Sequence, residues 1–197
     1  NLGIKALQDR QEKAKRILRD DGVTYNIYAD NQAPSNQWEL DLVPAIIGSE
    51  EWAKIESGLL ERDEIFTHIL RDLYGPQNLL KYKQSPSQCL FSHAGFLRAC
   101  HGIKIPGEHE LILHSVDLVQ RKDRSMCVLS DRTQSPSGAG YVLENRTVMS
   151  RVFPSIFRDS HVHRLASFFQ RLRYTLISLS PSENQARVVV LTPGAHN

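Results

Sequence analysis

Cysteine is scarce in this sequence, and what there is excludes two classes of protein. Cys89, Cys100 and Cys127 are odd in number and far apart, so they form neither a disulfide framework nor a Cys-x-x-Cys metal knuckle. Long apolar runs are missing as well. None reaches the ~18 residues of a membrane span, and residues 1–20 are charged where a signal peptide would be apolar. A soluble chain in a reducing cytoplasm, with no membrane partner, is the expectation. Excess charge is also absent: 24 Lys and Arg stand against 22 Asp and Glu, a balance that argues against a general polyanion binder, so no nucleic-acid partner is expected. Repeats and low-complexity tracts are lacking too. What remains is globular composition, 41% hydrophobic and 23% charged over 197 residues, enough for a core in one or two domains.

Helix and strand signals are mixed without strict alternation. Lys5 to Asp20 has helix-favouring composition and Gly22 follows it as a stop signal. Residues 23–28, rich in β-branched and aromatic side chains, predict a strand, and Asp30 to Asn36 a loop. Ser49-Glu50-Glu51 predicts a helix start with Ser49 as cap. Apolar residues from Trp52 to Leu73 then recur at helical spacing as far as Tyr74-Gly75-Pro76, with Gly58 the weak point. Leu111 to Val119 and Met126 to Ser130 flank the polar turn Gln120 to Ser125, the pattern of a hairpin. A loop of small residues follows, Thr133 to Gly140, and Tyr141 to Arg146 reads as a third strand. Ser160 to Leu179 carries Val162, Leu165, Phe169, Leu172 and Leu176 at helical spacing. Val188 to Leu191 reads as a short buried strand that needs neighbours, so a longer parent protein is expected. The expected fold class is α/β (α+β-like), a mixed, partly antiparallel sheet with long flanking helices.

Charge is uneven along the chain. Glu39 to Asp72 holds nine acidic and three basic residues, whereas Arg146 to Arg173 holds six Arg and one Asp. Arginine suits phosphate and carboxylate through its bidentate fork. Between these stretches, thirteen residues separate Asp131 from Glu144, a spacing that sets them side by side if both lie on neighbouring antiparallel strands. Paired carboxylates repel unless a cation lies between them, and oxygen ligands favour Mg²⁺. The Gly138/Gly140 loop brings backbone N–H groups close to a phosphate for want of side-chain bulk. A plainer reading of the same residues stays open: a turn cap at Asp131, an ordinary hairpin connection, and a surface ion pair between Glu144 and Arg146. Other constellations carry less. His161 and His163, two apart on a helix, would lie about 200° apart and share no ion; Cys100-His101 has no orienting third group. Trp38 and Tyr25 read as core or rim aromatics.

The segment Asp131 to Arg146, together with Asp21-Gly22-Val23-Thr24-Tyr25-Asn26-Ile27-Tyr28-Ala29-Asp30, Trp38-Glu39-Leu40-Asp41, Asp72-Leu73-Tyr74-Gly75-Pro76-Gln77 and His93-Ala94-Gly95-Phe96-Leu97-Arg98, resembles the N-terminal part of the circularly permuted ATP-grasp proteins, the glutathionylspermidine-synthase-like family. The resemblance runs from about Ile17 to Asn197. It implies an ATP-dependent carboxylate–amine ligase acting through an acyl phosphate, with ATP and Mg²⁺ as cofactors and small-molecule or peptide carboxylates and amines as substrates. Asp131, Glu144 and Asn145 would hold Mg²⁺, Arg146 would steady the transferred phosphate as the catalytic residue, and Ser137, Gly138 and Gly140 would form the phosphate loop. His93 and Arg98 would contact substrate. Glu144 and Asn145 are adjacent, where many ATP-grasp enzymes place one residue between them, so on a strand they would face opposite ways and Arg146 would share the face of Glu144. The implied organisation is a substrate-side region over 1–105, an ATP-grasp part with metal-binding strands over 106–186, and the first strand of a following αβ unit over 187–197. The alternative is a non-catalytic relative that senses nucleotide or binds protein. Oligomeric state is open.

Overall fold

A computed structural model describes residues 3–25, 36–107, 109–182 and 185–191. The described chain is a mixture of helices and short antiparallel strands, the expected fold class. It forms two compact units, each assembled from separated stretches: 1–46, 137–170 and 189–197 in the first, 47–136 and 171–188 in the second.

In the first unit, helix α1 (Ile4–Asp20) buries Ala14 and Leu18, four apart on one face. Gly22 ends it in the left-handed region at φ 70°, and Val23 N–H returns to Leu18 O at 2.9 Å. Strand β1 (Thr24–Tyr25) pairs antiparallel with β2 (Asn36–Gln37); residues 26–28 of the predicted strand, and the predicted loop before Asn36, lie outside the described residues. Helices α5 (Ala139–Val152) and α6 (Pro154–Asp159) complete the unit, with Pro154 in the first turn where its missing N–H costs nothing. Ala14, Leu18, Leu42, Val148, Val152 and Phe153 form the core, with Trp38 and Leu40 packed against it.

Helix α5 corrects the third-strand expectation. Tyr141 to Arg146 is helical, so Glu144 does not sit on a strand beside Asp131. The physical reason lies beyond the short window: Val148 and Val152, seven and eleven residues after Tyr141, extend the stripe that faces the core, a repeat that only a helix satisfies.

In the second unit, α2 (Ser49–Leu73) starts and ends where expected, with Glu50 and Glu51 in its first turn. Gly48 rather than Ser49 takes the cap position, and no side chain caps the helix. Gly58 does not interrupt α2, and a Cβ added there meets nothing within 4 Å. Gly58→Ala therefore raises stability by about 0.5–1 kcal/mol, read as a higher urea midpoint at unchanged m-value. An equal or lower midpoint would show a cost that the open space does not reveal.

Short helices α3 (Asn78–Lys81) and α4 (Ser87–Phe91) and a 3₁₀ turn, Arg98–Cys100, lead to the predicted hairpin, β3 (Ser115–Gln120) and β4 (Met126–Arg132). The pair is antiparallel, with Val116 opposite Asp131 and a bulge at Asp117/Leu118; β3 starts at Ser115, later than the apolar run from Leu111. Helix α7 (Ala166–Ser178) is shorter than the Ser160–Leu179 expectation, because His161 turns the chain with a left-handed φ of 47°. His161 and His163 therefore precede the helix instead of lying on it. Val188 to Leu191 is not a strand and is exposed, since no strand among the described residues pairs with it. The predicted turn at 192–194 lies outside the described residues. No helix among the described residues is long and apolar enough to cross a membrane.

Candidate functional site

The small-residue loop resolves into the start of a helix. Gly138 occupies the cap position of α5 at φ 112°, a conformation open to glycine, and Ala139 and Gly140 form the first turn. No side chain caps this end, and its first turn holds no acidic residue. Backbone N–H groups at the positive end of α5 are thus left for an anion by the protein's own side chains. Ser137 lies immediately before them.

One turn further on, the three expected ligands take different positions. Asn145 Oδ1 accepts a hydrogen bond from the Trp38 indole N–H at 2.8 Å. Trp38 stacks on Tyr141 with ring centres 4.3 Å apart, and the Tyr141 hydroxyl donates to Thr24 O at 2.7 Å. These contacts tie α5 to the β1–β2 region, and Tyr25 meets Trp38 edge-on at its half-exposed rim. The adjacent Glu144 is half-buried, and its Oε1 is buried with no hydrogen-bond partner. Burial pushes its carboxyl up, and the hydrogen bond and charge of Asp21 push it further, against the pull of Arg151. Arg151 Nη1 lies 3.3 Å from Asp21 Oδ2. On a helix, residues two apart point about 200° apart, so Arg146 faces away from Glu144, the reverse of the strand expectation.

Asp131, at the end of β4, is held by Arg62 and His114. Arg62 of α2 donates to it twice, Nε at 2.6 Å and Nη2 at 2.5 Å, and His114 Nε2 lies 3.1 Å from its Oδ1. The other ring nitrogen of His114 is 3.3 Å from Asp63, and the ring meets Phe66 edge-on at 5.4 Å. The His114 side chain is only 8% exposed. The Arg62 hydrogen bonds hold the Asp131 carboxyl below the usual carboxylate range, with His114 adding to them against the effect of burial. Sequence reasoning missed Arg62 and His114. Arg62 had a signal, as one of three cations in the acid-rich stretch from Glu39 to Asp72; His114 had none. Beside this cluster a cleft of about 370 Å³ runs between α2 and the hairpin, lined by Ile55, Gly58, Leu59, Met126 and Val128. His93 and Arg98 lie on the loop after α4, where His93 Nδ1 accepts the Gly95 N–H at 3.0 Å and the Arg98 guanidinium lies 4.9 Å over the Phe91 ring.

The family model of circularly permuted ATP-grasp type 2 proteins matches residues 44–197. The chain belongs to this ATP-grasp family. It is 38% identical over its whole length to an uncharacterized protein of Synechocystis sp., of which it covers 41%. It is 36% identical, over 98% of its length, to an uncharacterized protein of Mycobacterium tuberculosis, of which it covers 23%. To one of Mycobacterium leprae it is 33% identical over 97% of its length, covering 34% of that protein. The chain therefore spans less than half the length of these curated relatives. Within this ATP-grasp chain, Asp131, His93 and Arg98 belong to the second compact unit, while Ser137, Gly138, Gly140, Glu144, Asn145 and Arg146 belong to the first. Among the described residues, no group of three or more His, Cys, Asp or Glu side chains is arranged to hold a metal ion.

Proposed function

We propose that the full-length protein is an ATP-dependent carboxylate–amine ligase. ATP transfers its γ-phosphoryl group to a carboxylate oxygen and leaves as ADP. An amine then attacks the acyl carbon, inorganic phosphate departs, and the amine nitrogen loses a proton. The observation that carries this reading, within an ATP-grasp family member, is the uncapped, glycine-led N-terminus of α5. Ser137, Gly138 and Gly140 there present backbone N–H groups to phosphate oxygens with no competing side-chain cap.

The fit of Mg²⁺ to the expected ligands differs from residue to residue. Glu144 fits, because its orphaned Oε1 and its like-charged neighbour Asp21 both gain from a cation. Asp131 fits only after releasing Arg62, and the Asn145 oxygen only after releasing the Trp38 indole. When bound, Mg²⁺ neutralises charge on the transferred phosphoryl group. This chain's residues bind and orient: the α5 N-terminus holds phosphate, Asn145 fixes the helix against Trp38, and the Arg146 side chain, with no hydrogen bond or ion pair among the described residues, is free to meet an anion. The existing partners of Asp131 and Asn145 are what favour the alternative, a nucleotide-sensing or protein-binding module that carries out no turnover.

Thermal unfolding of the full-length protein, with and without Mg²⁺ and ATP, tests this beside its Glu144→Ala variant. Ligand at 100 times its Kd adds about 2.7 kcal/mol to the native state. We expect a rise that requires both Mg²⁺ and ATP in the parent and is lost in the variant, together with phosphate release that requires a carboxylate and an amine. No rise in the parent would overturn the ligase reading and leave the protein-binding module.

A further inference from the structure

From Leu73 to Gly107 the chain has no acidic residue, while Lys81, Lys83, Arg98 and Lys104 supply four positive charges. Such a stretch attracts anions, and within it one loop is built to hold donors in place. Tyr74, at the end of α2, stacks at a tilt on Phe96 with centres 5.0 Å apart, and Phe96 meets Phe91 at 5.7 Å. Leu97 N–H donates to the Tyr74 hydroxyl at 3.2 Å. This aromatic ladder supports Arg98, whose guanidinium rests on Phe91 and has no hydrogen bond or ion pair among the described residues. Stacking leaves the edge of the guanidinium, with its fork of N–H groups, available to an anion.

His93 is oriented by the same loop. A backbone N–H only donates, so the bond from Gly95 makes Nδ1 the acceptor, and the neutral ring carries its proton on Nε2, on the side away from the loop. Gly95 permits this approach: a Cβ there would lie 2.9 Å from the His93 ring and 3.4 Å from Gln134 Oε1. Gln134, just after β4, therefore stands beside His93 and adds an amide to the same corner of the second unit. Arg98 offers a planar cationic fork that can take both oxygens of a carboxylate, and on the same loop His93, with Gln134 across from Gly95, adds neutral donors.

We propose that the loop His93 to Arg98, with Gln134, is a carboxylate-binding subsite that receives the acid substrate. The proposal rests on the ligase reading for the identity of that acid, and on the loop itself for the chemistry. Arg98 is the anchor, His93 and Gln134 set orientation, and Gly95 is a positioning residue that acts through His93.

Calorimetric titration of the full-length protein with succinate, with inorganic phosphate and with Mg-ATP, at constant ionic strength, tests it. Succinate should bind the parent, and Arg98→Gln should weaken it about tenfold or more, while Arg98→Lys, which keeps the charge and loses the fork, falls between the two. Gly95→Ala should weaken succinate several-fold by displacing His93, and Mg-ATP affinity should be unchanged in all three variants. Arg98 is exposed, so its variants should melt with the parent. Absence of succinate binding to the parent, or equal binding by Arg98→Gln, would overturn the subsite. Weakened Mg-ATP binding in Arg98→Gln would assign the loop to nucleotide phosphates and overturn it as well. Failure of Mg-ATP to bind the parent would remove the ligase reading, and the succinate series would still decide whether the loop takes a carboxylate.

Discussion

Leu18→Ala lowers stability by about 2–5 kcal/mol, among the largest effects expected of a truncation among the described residues. Leu18 is 1% exposed and shares the core of the first unit with Ala14, Leu42 and Val148. Truncation removes buried methyl groups and leaves a cavity between helices too regular to collapse freely, so lost transfer energy and lost dispersion contacts add. Leu129→Ala is the matched control: the same atoms are removed from a side chain 74% exposed on β4, and the change should stay within about 0.5 kcal/mol. Urea unfolding of both variants measures the difference. A loss below about 1 kcal/mol at Leu18 would mean that this core does not hold the unit together.

Asp131→Ala is the second large effect. It deprives the nearly buried His114 of its Nε2 partner and breaks the paired hydrogen bonds from Arg62. A buried polar group left without its partner costs about 1–3 kcal/mol. The pH dependence follows from the lowered carboxyl of Asp131: its contribution is complete above the unfolded-state value and is lost as pH falls through the lower folded value. Parent and variant should therefore differ fully at neutral pH and converge below about pH 4. Urea midpoints at neutral pH and near pH 3 check both statements. A gap that persists undiminished into acid would show that Asp131 acts through packing and not through its charge.

Much of the fold is legible in the residues. Helices α1 and α2 and the β3–β4 hairpin follow from apolar periodicity and turn chemistry, local signals that tertiary contacts reinforce. Helix α5 is not legible over 141–146 alone, because six residues hold less than two helical turns and the deciding side chains, Val148 and Val152, lie further on. The end of the chain misleads for a related reason. Val188 to Leu191 has strand composition, but a strand forms only where a partner accepts its hydrogen bonds. Of the candidate site, the glycine-rich loop and Glu144 are visible as unusual residues in sequence. Their roles depend on the helix that organises them, since it makes the loop a helix N-terminus and turns Arg146 away from Glu144.

Sequence by itself determined the mixed helix and strand class, the long α2, the hairpin and the family to which the chain belongs. These rest on local periodicity and on motifs in a fixed order, both properties of the chain as written. Only tertiary structure decided that Asp131 lies against Arg62, 69 residues away in the chain, that Asn145 lies against Trp38, 107 residues away, and that Gln134 stands beside His93. Such contacts join residues with no local relation. Burial selects these partners once the helices and the hairpin are packed, through opposite charge for Asp131 and Arg62 and a neutral hydrogen bond for Asn145 and Trp38, and no spacing along the chain encodes that choice.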